Sequence, residues 1–176
     1  RVVMRKNLLL SIVSLFLCIG VQAQILEPVK WKVSLQGEGQ EKEIVFHAFI
    51  EDGWHLYATD ISQGGPIPTS FSFDELSQVS LKGEVTPAQR PHEEYSSLFD
   101  MKLGWYNSKI DFKQALTIDD PDNFKITGYI TYQACNDVTC LPPTKYEFSF
   151  GESQAEAAPA PVMTPVAFNT KSSSSR

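Results

Sequence analysis

Val29-Lys30-Trp31-Lys32-Val33-Ser34-Leu35-Gln36 alternates apolar and polar side chains without a break. A period of two sends one set of side chains into a core and the other into water, so the stretch reads as a β-strand. Gly37 and Gly39 close it with a turn. Ile44, Phe46, Ala48 and Ile50 repeat the alternation, and Asp52-Gly53 follows as a turn signal. Trp54 to Ala58 reads as a third short strand, and Gln63-Gly64-Gly65-Pro66 with Pro68 as a loop that no helix crosses.

The same pattern runs on toward the C-terminus. Phe71 and Phe73 alternate, Val79 to Val85 reads as a short strand, and Trp105 to Phe112 as another. Asp119-Asp120-Pro121-Asp122-Asn123 is a turn by composition. Ile126, Gly128, Ile130 and Tyr132 alternate with polar neighbours, as do Tyr146, Phe148 and Phe150. No stretch keeps a helical period, and seven or more short strands between turns predict an all-β sandwich. Thr86 to Leu103 breaks the pattern with Pro87, Pro91, charged residues and three aromatic or large apolar side chains, Tyr95, Leu98 and Phe99. It reads as a long loop, a class that is often functional.

The ends differ from this middle. Arg5 and Lys6 precede the apolar run Leu8 to Val21, and Val21 and Ala23 form a small-residue cleavage site before Gln24. Residues 1–23 therefore read as a secretory signal peptide, with an uncleaved anchor as the alternative. Residues 152–176 are rich in Ala, Pro and Ser and read as a linker, which suggests a longer parent protein. One domain remains, residues 24–151, long enough for a single core. The formal net charge of −6 offers no basic surface for nucleic acid.

Beyond the leader only Cys135 and Cys140 are left of the three cysteines. An even count in an exported chain fits a disulfide. Cys135 ends a strand, Asn136-Asp137 starts a turn, and Pro142 and Pro143 stiffen the exit, so the two Cα atoms are expected about 5–6 Å apart. A ring this small stabilises by only about 2 kcal/mol in the chain-entropy account. That favours a reactive bridge over a structural one, though a secreted binding module with a structural disulfide is the competing reading. Its support is the set of aromatics Trp54, Tyr57, Tyr95 and Trp105, which are expected to be exposed. A metal site built with His47, His55 and His92 lacks ligand spacing. His47 falls on the polar phase of its strand and reads as solvated, and His55 as packed between aromatics.

Tyr132-Gln133-Ala134-Cys135 through Cys140-Leu141-Pro142-Pro143 resembles the redox segment of the N-terminal periplasmic domain of the DsbD thiol:disulfide interchange family. Asp52-Gly53-Trp54-His55-Leu56-Tyr57 resembles a second motif of that family, and Leu98-Phe99-Asp100-Met101-Lys102 through Trp105-Tyr106 its cap segment. The resemblance implies an immunoglobulin-like sandwich with a cap loop over a local disulfide. It implies a protein-disulfide reductase domain that takes electrons from a thioredoxin-like donor and reduces periplasmic disulfide isomerases and cytochrome c maturation proteins. A membrane domain would follow in the full-length protein, and no cofactor is needed beyond the cysteine pair. By position, Cys140 would form mixed disulfides and Cys135 resolve them. Phe99 would be the cap aromatic and Tyr57 a tyrosine beside the site. Four residues separate the cysteines, one fewer than in the family form, and Ser97 stands where that form has an acidic residue. No Lys or Arg lies between the cysteines to lower a thiol pKa, so a sluggish thiol that is activated on docking is expected.

Overall fold

The computed structural model describes residues 26–151 except Leu98, so the expected signal peptide and linker lie outside the described residues. Eleven strands run in chain order among these residues, with no helix. They are β1 (Val29–Gln36), β2 (Glu41–Ile50), β3 (His55–Tyr57), β4 (Ser70–Ser77), β5 (Val79–Pro87) and β6 (His92–Ser96). β7 (Met101–Tyr106), β8 (Lys109–Ile118), β9 (Lys125–Tyr132), β10 (Ala134–Cys135) and β11 (Thr144–Gly151) complete the set.

Two sheets make the sandwich. One has the order β1-β2-β8-β5 and the other β11-β9-β4, with every pairing antiparallel. The alternation read from the sequence fixes their inner faces. Phe46 and Phe112 from the first sheet meet Phe71 and Phe148 from the second, with ring centroids 4.7–5.1 Å apart for the Phe46–Phe71, Phe46–Phe148 and Phe71–Phe112 pairs. Trp31 meets Tyr132 edge-on at 5.5 Å across the same gap. Ile44, Leu116, Ile118, Ile126 and Ile130 fill the remainder and are fully buried. Burying a large aliphatic or aromatic side chain contributes about 1.5–3 kcal/mol, so this layer carries most of the stability. The fold is an all-β, immunoglobulin-like sandwich.

A third sheet, β10-β3-β7-β6, is built from the continuations of sandwich strands. β2 of the first sheet passes through the Asp52-Gly53 turn into β3, and β9 of the second passes through Gln133 into β10. The stretch Trp105 to Phe112, expected as one strand, divides at Asn107-Ser108 into the end of β7 and the start of β8. Ser108 takes φ 68°, and its carbonyl accepts from the Ile50 amide at 2.7 Å. That left-handed residue turns the chain from one sheet to the other.

The stretch expected as a long loop, Thr86 to Leu103, is instead largely a hairpin. β6 pairs with β7 from His92↔Trp105 to Ser96↔Met101. β6 lacked a sequence signature because His92, Glu93, Glu94 and Tyr95 are all exposed, so no apolar phase marks the strand. Lys102 pairs with Glu93, and the Tyr95 hydroxyl donates to Asp100 at the hairpin end. Asp100 sits at φ 53° in the closing turn.

Candidate functional site

Cys135 and Cys140 are joined in a disulfide. The intervening residues make a tight turn held by Asn136. Its side-chain carbonyl accepts from the Val138 amide at 2.9 Å and the Thr139 amide at 2.8 Å, and its own amide donates to the Thr139 carbonyl at 2.9 Å. On the other side, the Leu141 amide donates to the Ala134 carbonyl at 2.9 Å. The cysteines between these two bonded pairs form a directly opposed, non-hydrogen-bonded pair, where strands approach most closely. This is why their Cα atoms are 4.0 Å apart, closer than the spacing expected from sequence.

The two sulfurs have different surroundings. Cys135 is 1% exposed and packs in a small cluster with Tyr57 and Leu103, against which Phe99, Met101, Ile61 and Trp105 are partly buried. Cys140 is exposed. This cluster is separate from the main sandwich core. Gln133 ties the region down: its side-chain oxygen accepts from the Ile67 amide at 2.9 Å, and its side-chain nitrogen donates to the Leu141 carbonyl at 3.0 Å. The buried Thr69 hydroxyl donates to the Tyr57 carbonyl at 2.6 Å. The Gly/Pro loop that precedes Thr69 is thereby fastened to both β3 and the cysteine segment.

A groove of about 630 Å³ opens between the Cys135–Cys140 turn and the β6–β7 hairpin. Its walls include Trp54, Tyr57, Tyr95, Phe99 and Trp105, with Cys140 at one side. The sequence-predicted residues Cys140, Phe99 and Tyr57 therefore meet in one depression, and Cys135 lies beneath it beside Phe99 and Tyr57. Of the four aromatics expected to be exposed only Tyr95 is, while Trp54 and Trp105 are half-buried and Tyr57 is buried. That burial raises the pKa of the Tyr57 hydroxyl, so it stays protonated at neutral pH. Val138, at the tip of the cysteine turn, is 92% exposed, an unusual position for an aliphatic side chain.

The histidines occupy three different settings. His47 is not simply solvated: its Nδ1 is 2.8 Å from the Asp111 carboxylate on the outer face of the first sheet. His92 stacks edge-on against Trp105 at 4.7 Å. His55 lies between Tyr57 and Trp105 at 5.4 and 5.5 Å, as its sequence neighbours suggested, and it also lines the groove. Its pKa is lowered by burial, an effect partly offset by the nearby charge of Asp137. Among the described residues, no three His, Cys, Asp or Glu side chains are grouped to hold a metal ion.

The sequence pattern described as thiol:disulfide interchange protein DsbD, N-terminal, matches residues 22–152. The chain belongs to this family. The family is described as the N-terminal part of a thiol:disulfide interchange protein. Among solved structures, the N-terminal periplasmic domain of ScsB from Proteus mirabilis aligns with TM-score 0.54 and 17% identity. The alignment covers 80% of this chain and 52% of that one, so this chain spans about half the length of the ScsB domain. That likeness is one of fold. The reduced DsbD N-terminal domain of Neisseria meningitidis aligns at TM-score 0.43 and 18% identity, covering 69% of this chain and 84% of that one. The Neisseria meningitidis complex of DsbD N-terminal and PilB N-terminal domains aligns at TM-score 0.49 and 16% identity, with 79% and 94% covered. Among curated protein sequences, none matches the chain.

Proposed function

We propose that this DsbD N-terminal-type domain works in the periplasm as a protein-disulfide reductase. It accepts electrons from a thioredoxin-like donor and passes them to disulfides of partner proteins, among them disulfide isomerases and cytochrome c maturation proteins. The observation that carries the reading is the asymmetry of the pair. Cys140 is exposed at the side of an aromatic groove, whereas Cys135 is 1% exposed beneath it. An exposed sulfur is the one that a partner thiolate reaches in line, and the shielded one is left to close the ring again. The donor thiolate attacks the Cys140 sulfur, the ring bond breaks, and Cys135 leaves as the thiolate. The donor's second thiol then releases Cys140. Running the sequence in the opposite sense reduces an acceptor, and no cofactor beyond the two sulfurs takes part.

Phe99 and Tyr57 shape access. Phe99 sits at the hairpin end against the Cys135 cluster, where it screens the bridge from small thiols, and Tyr57 forms the floor beside it. The test is covalent trapping. A Cys135→Ser variant should form a stable mixed disulfide at Cys140 with a thioredoxin-fold protein lacking its second cysteine, while Cys140→Ser should form none. Trapping at neither position would overturn the assignment. A reduction potential below about −300 mV would return the bridge to a structural role, and with it the reading as a binding module.

A further inference from the structure

Strand register places three side chains on one rung of the third sheet. Cys135 is paired with His55 of β3 on one side and bridged to Cys140 on the other. Directly opposed residues of antiparallel strands project to the same face, with Cβ atoms about 4.5–5.5 Å apart. His55, Cys135 and Cys140 therefore share a face, and the imidazole stands within side-chain reach of the inner cysteine. His55 and Cys140 both line the groove.

The surroundings single out this imidazole as a base. No Lys or Arg is among the groove-lining residues. The ionisable groups facing His55 are Tyr57 on its own strand, Asp137 on the cysteine turn, and Glu94 and Tyr95 on β6, with His92 behind Trp105. Tyr57 is held protonated by burial, and a carboxylate is a poor match for a thiol proton. Imidazole is the side chain whose basicity lies closest to neutral pH. Its burial between two aromatic rings keeps it neutral there, and so able to accept.

We propose that His55 is the proton acceptor for Cys135 when a mixed disulfide on Cys140 is resolved. The inference rests on the exchange reaction proposed above. The proton passes from the Cys135 thiol to an imidazole nitrogen. The thiolate electron pair forms the Cys135–Cys140 bond, and the bond between Cys140 and the partner sulfur breaks. The partner leaves as a thiolate and takes the proton back from the imidazolium. The two thiols of this chain lose two electrons, and the partner's disulfide gains them. In the opposite direction, the imidazolium protonates Cys135 as it is expelled. This gives the buried thiol the activating neighbour that the sequence between the cysteines lacks.

Reaction of the reduced chain with 5,5′-dithiobis(2-nitrobenzoate) separates the two steps. The first equivalent of coloured thiolate reports attack by Cys140. The second reports ring closure by Cys135 and is independent of reagent concentration. His55→Phe keeps a ring between Tyr57 and Trp105 but removes the base, and His55→Gln serves if the phenyl variant does not fold. The expected result is an unchanged first phase and a second phase slowed about 100-fold at pH 7, the lower end of general-base effects. The wild-type second phase should be nearly flat across neutral pH. In the variant it should climb about tenfold per pH unit, because hydroxide then supplies the thiolate, and added imidazole should restore part of the rate. A variant second phase equal to wild type in rate and pH slope would overturn the role of His55. A wild-type protein with no first phase would instead overturn the exchange reading itself.

Discussion

Reducing the bridge should leave the sandwich standing, at a cost that can be worked out. Cys135 and Cys140 are five apart in sequence, so the bond closes a very small ring. For about six residues the chain-entropy account gives roughly 7 cal/mol/K, or about 2 kcal/mol at 25 °C. The described domain has about 125 residues, and at ~2.1 cal/mol/K per residue its unfolding entropy is about 260 cal/mol/K. The melting temperature should therefore fall by about 8 °C on reduction. The packing loss adds little, because Cys135 belongs to the small cluster with Tyr57 and Leu103 while the large aromatics and isoleucines of the sandwich form a separate core. Reduction with a phosphine, with both thiols left unmodified, avoids placing a hydroxyl in that buried position. Melts of oxidised and reduced protein followed by near-UV circular dichroism, with thiols counted before and after, measure the difference. A fall of more than about 20 °C, or loss of the cooperative transition, would mean a bridge worth more than about 5 kcal/mol, beyond the range for such crosslinks. A scaffold that collapses each time its sulfurs part could not cycle, and the reasoning would be refuted.

Phe99→Ala should speed reduction of the bridge by glutathione in a still-folded protein, and an unchanged rate would refute the screening role proposed for Phe99. His55 should make stability pH-dependent. Its folded pKa lies below the ordinary 6.5, so between the two values the unfolded chain binds more protons and stability rises with pH. That increment is complete above about pH 6.5 and is lost as pH falls toward the folded value, so urea midpoints should show the slope and His55→Phe should lack it. Asp137→Asn removes the charge that partly offsets burial, so the His55 imidazole signal in NMR should titrate at still lower pH; an upward shift would contradict the electrostatic assignment. Gly128→Ala should destabilise by at least about 2 kcal/mol in urea melts, because an added Cβ would lie 2.2 Å from the Ser72 carbonyl oxygen and 2.7 Å from Phe148.

The parts of the fold with one wet and one dry face were legible in the sequence. β9 and the first half of β1 show a strict burial alternation, and the apolar phase of each marks its inner face. Of β8 only the part up to Phe112 was read as strand, although the same alternation runs on to Ile118. β6 was not legible, because a hairpin strand that is wet throughout leaves no apolar phase to read. The junction at Asn107-Ser108 was hidden for a different reason. Apolar Trp105, Tyr106, Ile110 and Phe112 continue on both sides of it, and only the left-handed Ser108 reveals that they serve two sheets. At the site, the local chemistry of the cysteine turn could be read from Asn136, Asp137 and the prolines that follow. The placement of Phe99 and Tyr57 near the bridge came from the family resemblance. The position of His55 opposite Cys135 came from neither, since it depends on how distant strands align. The alternation of β3 could have offered a hint, for it places His55 and Tyr57 on one face.

The small cluster around Cys135 has a consequence for how such a domain can diversify. Cys135, Tyr57 and Leu103, with Phe99, Met101 and Trp105 of the overlying hairpin against them, are packed apart from the main sandwich core. Substitutions in this part of the groove, though not at Trp54, which packs against the sandwich core, can therefore be sampled by selection, or exchanged by an engineer between homologous scaffolds, without first finding compensating changes in the sandwich. Under the exchange function proposed above, partner choice can drift quickly on a frame that changes slowly.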